Sequence, residues 1–148
     1  MSILDKEFLT FVQKLNEHRV EYLLIGGHAV NFYGYSRPTA DLDLWVNPTV
    51  DNGNRLMKAL EQLSYKTAKL LERDFTKPLA FNLGEPPFQI DVLNRISGLE
   101  FSGAYSRRDV TMIEGIAVNI IHLHDLRTNK LASGRHRDLD DLENLATP

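Results

Sequence analysis

The chain has 148 residues, 43% of them hydrophobic and 25% charged, a formal net charge of −3 and no cysteine. The length suits one domain with a real core, and the composition is that of a globular rather than a disordered or fibrous protein. Lack of cysteine excludes disulfides, thiolate zinc sites and cysteine nucleophiles, and the acidic balance argues against a broad grip on nucleic acid while leaving room for a local basic patch.

In chain order, residues 3–18 space Ile3, Leu4, Phe8, Phe11, Val12 and Leu15 as an amphipathic helix, with Ser2 as its N-cap. Asp5, Lys6 and Glu7 interrupt what would have to be the apolar stretch of a signal peptide. No run approaches the roughly 20 apolar residues that span a bilayer. A cytoplasmic protein with no membrane contact is therefore expected. Residues 21–25 read as a buried strand that stops at Gly26-Gly27, and 28–33 as a helix. Residues 41–46 alternate as a second strand closed by Asn47-Pro48, and Thr49 caps a helix reaching about Leu63. Residues 79–83 and 88–93 form a strand pair around the turn Gly84-Glu85-Pro86-Pro87. Met112-Ile113 and 116–121 flank Glu114-Gly115 as a hairpin, and 124–148 is a helical tail interrupted near Gly134. The pattern predicts a single α/β (α+β) domain over 1–148, a mixed β-sheet flanked by helices.

Three features carry chemistry. Gly26-Gly27, between a strand and a helix, lets the backbone approach a phosphate closely; the competing reading is a tight turn. Asp41 and Asp43 are two apart on a strand and so share a face, while Leu42 and Leu44 point to the core. Two carboxylates held together need a proton or a cation between them, and oxygen ligands suit Mg²⁺ or Mn²⁺; a solvated acidic edge is the alternative. Asp91 stands alone among strand formers in Phe88-Gln89-Ile90-Asp91-Val92-Leu93, where a lone charge needs a partner. If its strand lies beside that of Asp41 and Asp43, three carboxylates converge near the glycines, as a two-metal site requires.

Ile25-Gly26-Gly27, thirteen residues (28–40), Asp41-Leu42-Asp43-Leu44 and a later Ile90-Asp91-Val92 resemble the nucleotidyltransferase superfamily of polymerase-β type. The likeness is greatest to its small bacterial members, among them minimal nucleotidyltransferases and toxins of abortive-infection toxin–antitoxin pairs. The resemblance implies that Asp41, Asp43 and Asp91 are metal ligands, with Asp91 helping to deprotonate an acceptor, and that Gly26 and Gly27 hold a triphosphate. It also implies transfer of a nucleoside monophosphate from an NTP to an acceptor hydroxyl, with Mg²⁺ or Mn²⁺ and release of pyrophosphate. A tRNA, a protein or a small molecule is the expected acceptor, and a homo-oligomer or an antitoxin the expected partner. The competing expectation is a non-enzymatic nucleotide-binding or toxin–antitoxin module; a metal-dependent phosphohydrolase is a third.

Around this centre, Arg37 reads equally as a phosphate ligand or as half of a loop ion pair. Lys130 and Arg135, in Lys130-Leu131-Ala132-Ser133-Gly134-Arg135-His136-Arg137-Asp138, are nucleotide-binding candidates, and similar stretches end the small relatives. Arg137 reads as a solvated helix end pairing with Asp138 and Asp141. His28 is expected at the surface or beside the helix cap. His122 and His124 are expected on a strand end without a third zinc ligand. Trp45, Tyr33 and Tyr35 read as packing residues, and Ser36 and Ser133 lack the partners of a nucleophilic triad.

Overall fold

A computed structural model describes residues 4–145. The chain runs α1 (Lys6–Glu17), β1 (Tyr22–Ile25), α2 (Gly26–Phe32), β2 (Leu42–Val46), α3 (Val50–Gln62), α4 (Ala68–Leu71), β3 (Ala80–Leu83), β4 (Ile90–Leu93), α5 (Phe101–Ser106), β5 (Asp109–Ile113), β6 (Ile116–Ile120), α6 (Leu123–Ser133) and α7 (His136–Asn144). The strands form one mixed sheet in the order β3-β4-β2-β1-β6-β5. β1 runs antiparallel to β2 and parallel to β6, and β2 runs parallel to β4; the outer pairs β3–β4 and β5–β6 are antiparallel hairpins.

Local chemistry explains most of these elements. All four residues of β1 are buried, as an apolar run in the middle of a sheet must be. The apolar stripe of α1, Phe8, Leu9, Phe11, Val12 and Leu15, is buried, and the helix packs on β6 and α3. Its N-cap is Asp5, so the helix starts later than the spacing of Ile3 and Leu4 suggested; the proposed cap, Ser2, lies outside the described residues. Thr49 does cap α3: its hydroxyl accepts the backbone N–H of Asn52 at 3.1 Å. Asn52 is buried and ties the turn together, donating to the carbonyls of Glu21 and Asn47 and accepting from the Glu21 N–H. Gly134 ends α6 in the left-handed region (φ 63°), the conformation a glycine cap supplies without strain.

The register matters more for the site than the strand order does. Ile25 faces Asp43 across β1–β2, Asp43 faces Asp91 across β2–β4, and Asp91 faces Asn82 across β3–β4. One row across four strands therefore reads Asn82, Asp91, Asp43, Ile25, and the glycines follow directly at its end. Beyond this row the same face of β2 is closed: Trp45, 1% exposed, meets the edge of the Phe101 ring of α5 at 5.2 Å. The polar end of β2 stays open while its apolar end is sealed. No helix among the described residues is long and apolar enough to cross a membrane.

Candidate active site

Two loops and two strand ends build the site. Gly26 opens α2 with φ +70°, and a Cβ there would run into Asp43 Oδ2. The residue is glycine both for its left-handed backbone and for its contact with the carboxylate. At Gly27 a Cβ would collide with the Thr39 hydroxyl and come within 3.3 Å of Arg37 Nη1. The glycine pair thus lets the loop carrying Arg37 and Thr39 close down beside the carboxylates. Gly26, Gly27, Arg37, Asp41, Asp43, Asp91, Lys130, Arg135 and Arg137 all line one cavity of about 810 Å³.

Asp43 is the most perturbed carboxyl of the group. Burial, then the charge of Asp91, a hydrogen bond with Asp91 and the charge of Asp41 push it up from 3.8 to about 7, against a smaller pull from Lys130. The Gln89 amide donates to Asp91 Oδ1 at 3.0 Å and fixes that side chain. Asp41 precedes β2 and borders the same cavity. Among the described residues no group of three or more His, Asp or Glu side chains is gathered closely enough to hold a metal by itself. The close unit is the pair Asp43–Asp91, and its chemistry fits a divalent ion: two carboxylates in adjacent register repel one another, and a cation between them relieves that repulsion and offsets the burial that together favour a proton on Asp43. Mg²⁺ is commonly bound through one or two carboxylates and completed by substrate phosphates and water, so two protein ligands suffice.

A buried ion network carries the cations. Lys130, 5% exposed, lies between Asp138 Oδ1 (3.1 Å) and Asp141 Oδ2 (3.0 Å). Arg37 donates from Nε and Nη2 to the two oxygens of the same Asp141 at 2.7 and 3.0 Å. Of the two roles considered for Arg37 the ion pair is present, but with a buried partner on α7, and the guanidinium still borders the cavity. Arg135 donates from Nε to Asp138 Oδ2 at 2.8 Å while its own side chain is 78% exposed. Burial opposes the charge on Asp138, yet hydrogen bonds from Arg135, Ser133 and Lys130 hold its carboxyl well below the usual carboxylate range. Lys130 has three donors and Arg37 five; the two aspartates occupy only part of that capacity.

Several expectations need correcting. Arg137 does not pair with Asp138 and Asp141: the i, i+3 spacing puts both aspartates on the buried face of α7 and leaves Arg137 on the exposed one. His28 is buried, with its ring edge-on to Phe8 at 5.6 Å, because α2 packs that side against α1. His122 is not on a strand; its Nδ1 accepts the His124 backbone N–H at 3.0 Å and caps α6. Tyr33 and Tyr35 do pack against the core as expected, and their hydroxyls also find acceptors: the single proton of Tyr33 is shared between Asp109 at 2.5 Å and the Ile121 carbonyl at 2.6 Å, and Tyr35 donates to Asp140. Sequence reasoning missed Asp138 and Asp141 as buried counter-ions; their i, i+3 spacing, which puts both on one helical face, was the available signal.

The sheet order and the carboxylate row beside a glycine corner define the nucleotidyltransferase fold. The chain belongs to a family described as a nucleotidyltransferase of unknown function (DUF6036), whose model matches residues 2–147. Its structure is similar to lincomycin-bound LnuA, a lincosamide antibiotic adenylyltransferase, at 16% identity and TM-score 0.58 over 97% of both chains. A Thermotoga maritima protein described as a nucleotidyltransferase (TM1012) aligns at 12% identity and TM-score 0.61, over 93% of this chain and 88% of the other. An antigenic nucleotidyltransferase-like protein from Paracoccidioides brasiliensis aligns at 17% identity and TM-score 0.57, over 91% and 71%. No curated protein matched the sequence.

Proposed function

We propose that the protein transfers a nucleoside monophosphate from an NTP to an acceptor hydroxyl, with Asp43 and Asp91 as the reacting pair. The observation that supports this is their adjacency in register at the glycine corner, inside a cavity rimmed by Arg37, Lys130 and Arg135. A divalent cation, Mg²⁺ or Mn²⁺, held by Asp43 and Asp91 with Asp41 at its edge, would neutralise charge on the triphosphate and on departing pyrophosphate. The residues of the chain supply the rest. Asp91 accepts the proton of the acceptor hydroxyl, whose oxygen forms a bond to the α-phosphorus. The bond from that phosphorus to the bridging oxygen breaks, and pyrophosphate leaves with the electron pair. Spare donors of Lys130, Arg37 and Arg135 bind phosphate oxygens, and Gly26 and Gly27 give the triphosphate access to the backbone.

The test is pyrophosphate release from each of the four NTPs with Mg²⁺ or Mn²⁺ against RNA, protein and small-molecule acceptors. Turnover that vanishes in Asp43→Asn and Asp91→Asn supports the reading; equal turnover in those variants removes it. A second reading, nucleotide binding without transfer, uses the same cavity, carboxylate pair and cations. It predicts divalent-dependent NTP binding with no pyrophosphate from any acceptor.

A further inference from the structure

Asp43 and Asp91 lie between two hollows. Besides the cavity under Arg37 and Thr39, a second of about 700 Å³ shares Gly26, Asp43, Asp91, Lys130 and Arg135 but extends the other way, over β3, the end of β4 and α6. Its volume is that of a small-molecule site. Its floor is the carboxylate pair, and Asn82 stands next to Asp91 in the register, exposed to the hollow.

The charges in this second hollow are lopsided. Its only carboxylates among the described lining residues are Asp43 and Asp91, both committed to the reaction in the reading above. Lys130 and Arg135 are answered by Asp138 and Asp141. Arg95 is not: it is exposed, has no carboxylate partner among the described residues, and spends one donor on the Thr76 carbonyl at 3.1 Å. The remaining polar side chains, Asn82, Gln89, Ser97, Asn129 and Ser133, are uncharged. A site for a cationic, amine-bearing acceptor needs carboxylates to spare, and this one has none. The net charge of −3 disfavours an extended phosphodiester backbone as the occupant.

Building on the transferase reading, we propose that this second hollow is the acceptor site and that it selects a small hydroxyl compound bearing an anionic group, with Arg95 as the specificity-determining residue. Arg95 pairs with the anion at the rim, and the uncharged side chains orient the hydroxyl towards Asp91. The reaction balances as above: the acceptor O–H loses its proton to Asp91, the oxygen bonds to the α-phosphorus, and pyrophosphate departs.

The experiment titrates the full chain, with Mg²⁺ and a non-hydrolysable ATP analogue, with ribose 5-phosphate, ribose, glucosamine and a short RNA ending in a 3′-hydroxyl. Ribose 5-phosphate should bind roughly tenfold more tightly than ribose or glucosamine, the size of one charge-assisted hydrogen bond. Arg95→Ala and Arg95→Glu should erase that preference and Arg95→Lys retain most of it, while nucleotide affinity stays within about twofold in all three. Arg73→Ala, an exposed arginine outside both hollows, should change nothing. A preference for glucosamine or for the RNA, no preference at all, or a preference that survives Arg95→Glu overturns the proposal. Failure of the ATP analogue and of its GTP, CTP and UTP counterparts to bind overturns the transferase reading instead, and is read in separate titrations before any acceptor is added.

Discussion

At the scale of single residues, Asp43 ties chemistry to stability. Its ordinary value of 3.8 is raised to about 7, chiefly by burial and then by Asp91 and Asp41. Below about pH 4 the carboxyl is neutral in both the folded and the unfolded chain, so the shift costs nothing. Between pH 4 and 7 the unfolded chain releases the proton and the folded one keeps it, so folded stability falls as pH rises through that window. In metal-free protein the urea midpoint of the wild type, taken relative to Asp43→Asn, is therefore expected to drop from pH 4 to 7 and then level off. Addition of Mg²⁺ or Mn²⁺ at pH 7.5 should raise the wild-type midpoint and leave that of Asp43→Asn nearly unmoved. A wild-type midpoint that ignores the cation would contradict the pairing of Asp43 and Asp91 around an ion. Asp138 works in the opposite direction: its depressed pKa contributes stability above the ordinary carboxylate range, lost only as pH falls through its low folded value.

At the scale of elements, α7 is held by charge as much as by apolar contact. Asp141 is fully buried and takes both Arg37 and Lys130. Its removal leaves a buried lysine with one partner fewer, a change that costs about 3–5 kcal/mol when a buried pair is broken. Asp141→Ala should lower stability by that order in chemical denaturation, and should weaken nucleotide binding by releasing Arg37 and Lys130 from their positions. Arg137→Ala, on the exposed face of the same helix, should stay within about 0.5 kcal/mol of wild type. Comparing the two variants separates the inward face of α7 from its outward one. The cap of α3 offers a smaller test: Thr49→Ala removes the acceptor for the Asn52 N–H, with an expected loss of about 1 kcal/mol. Asn94→Ala would strip three hydrogen bonds that pin the chain at Phe75, Lys77 and Leu79 to the end of β4, the wall from which Arg95 projects.

For the whole molecule, nucleotide binding is the measure that involves every part of the site at once. With Mg²⁺ present, an NTP at 100 times its dissociation constant should stabilise the folded state by about 2.7 kcal/mol, seen as a rise in the thermal midpoint that EDTA abolishes. Self-association, one of the two partnerships expected, is read by light scattering after gel filtration; a strict monomer removes it. Much of this architecture is legible in the sequence, because burial imposes periodicity: the apolar stripe of α1, the unbroken β1, the alternation of β2 and the glycine break at Gly134 are local patterns with local causes. The short helices α4 and α5 were illegible, being too brief to set up a period. The positions of the carboxylates along their strands, and the glycines beside them, were likewise written in the chain. What only the tertiary structure decided is which groups meet. A parallel pairing of β2 with β4 sets Asp91 against Asp43 rather than one register away, and the fold of α7 onto α6 turns Asp138 and Asp141 inward to Lys130 and Arg37. Asp43 and Asp91 are dozens of positions apart and Arg37 and Asp141 more than a hundred, and nothing in the composition or spacing of either partner specifies the register at which distant strands and helices will pack.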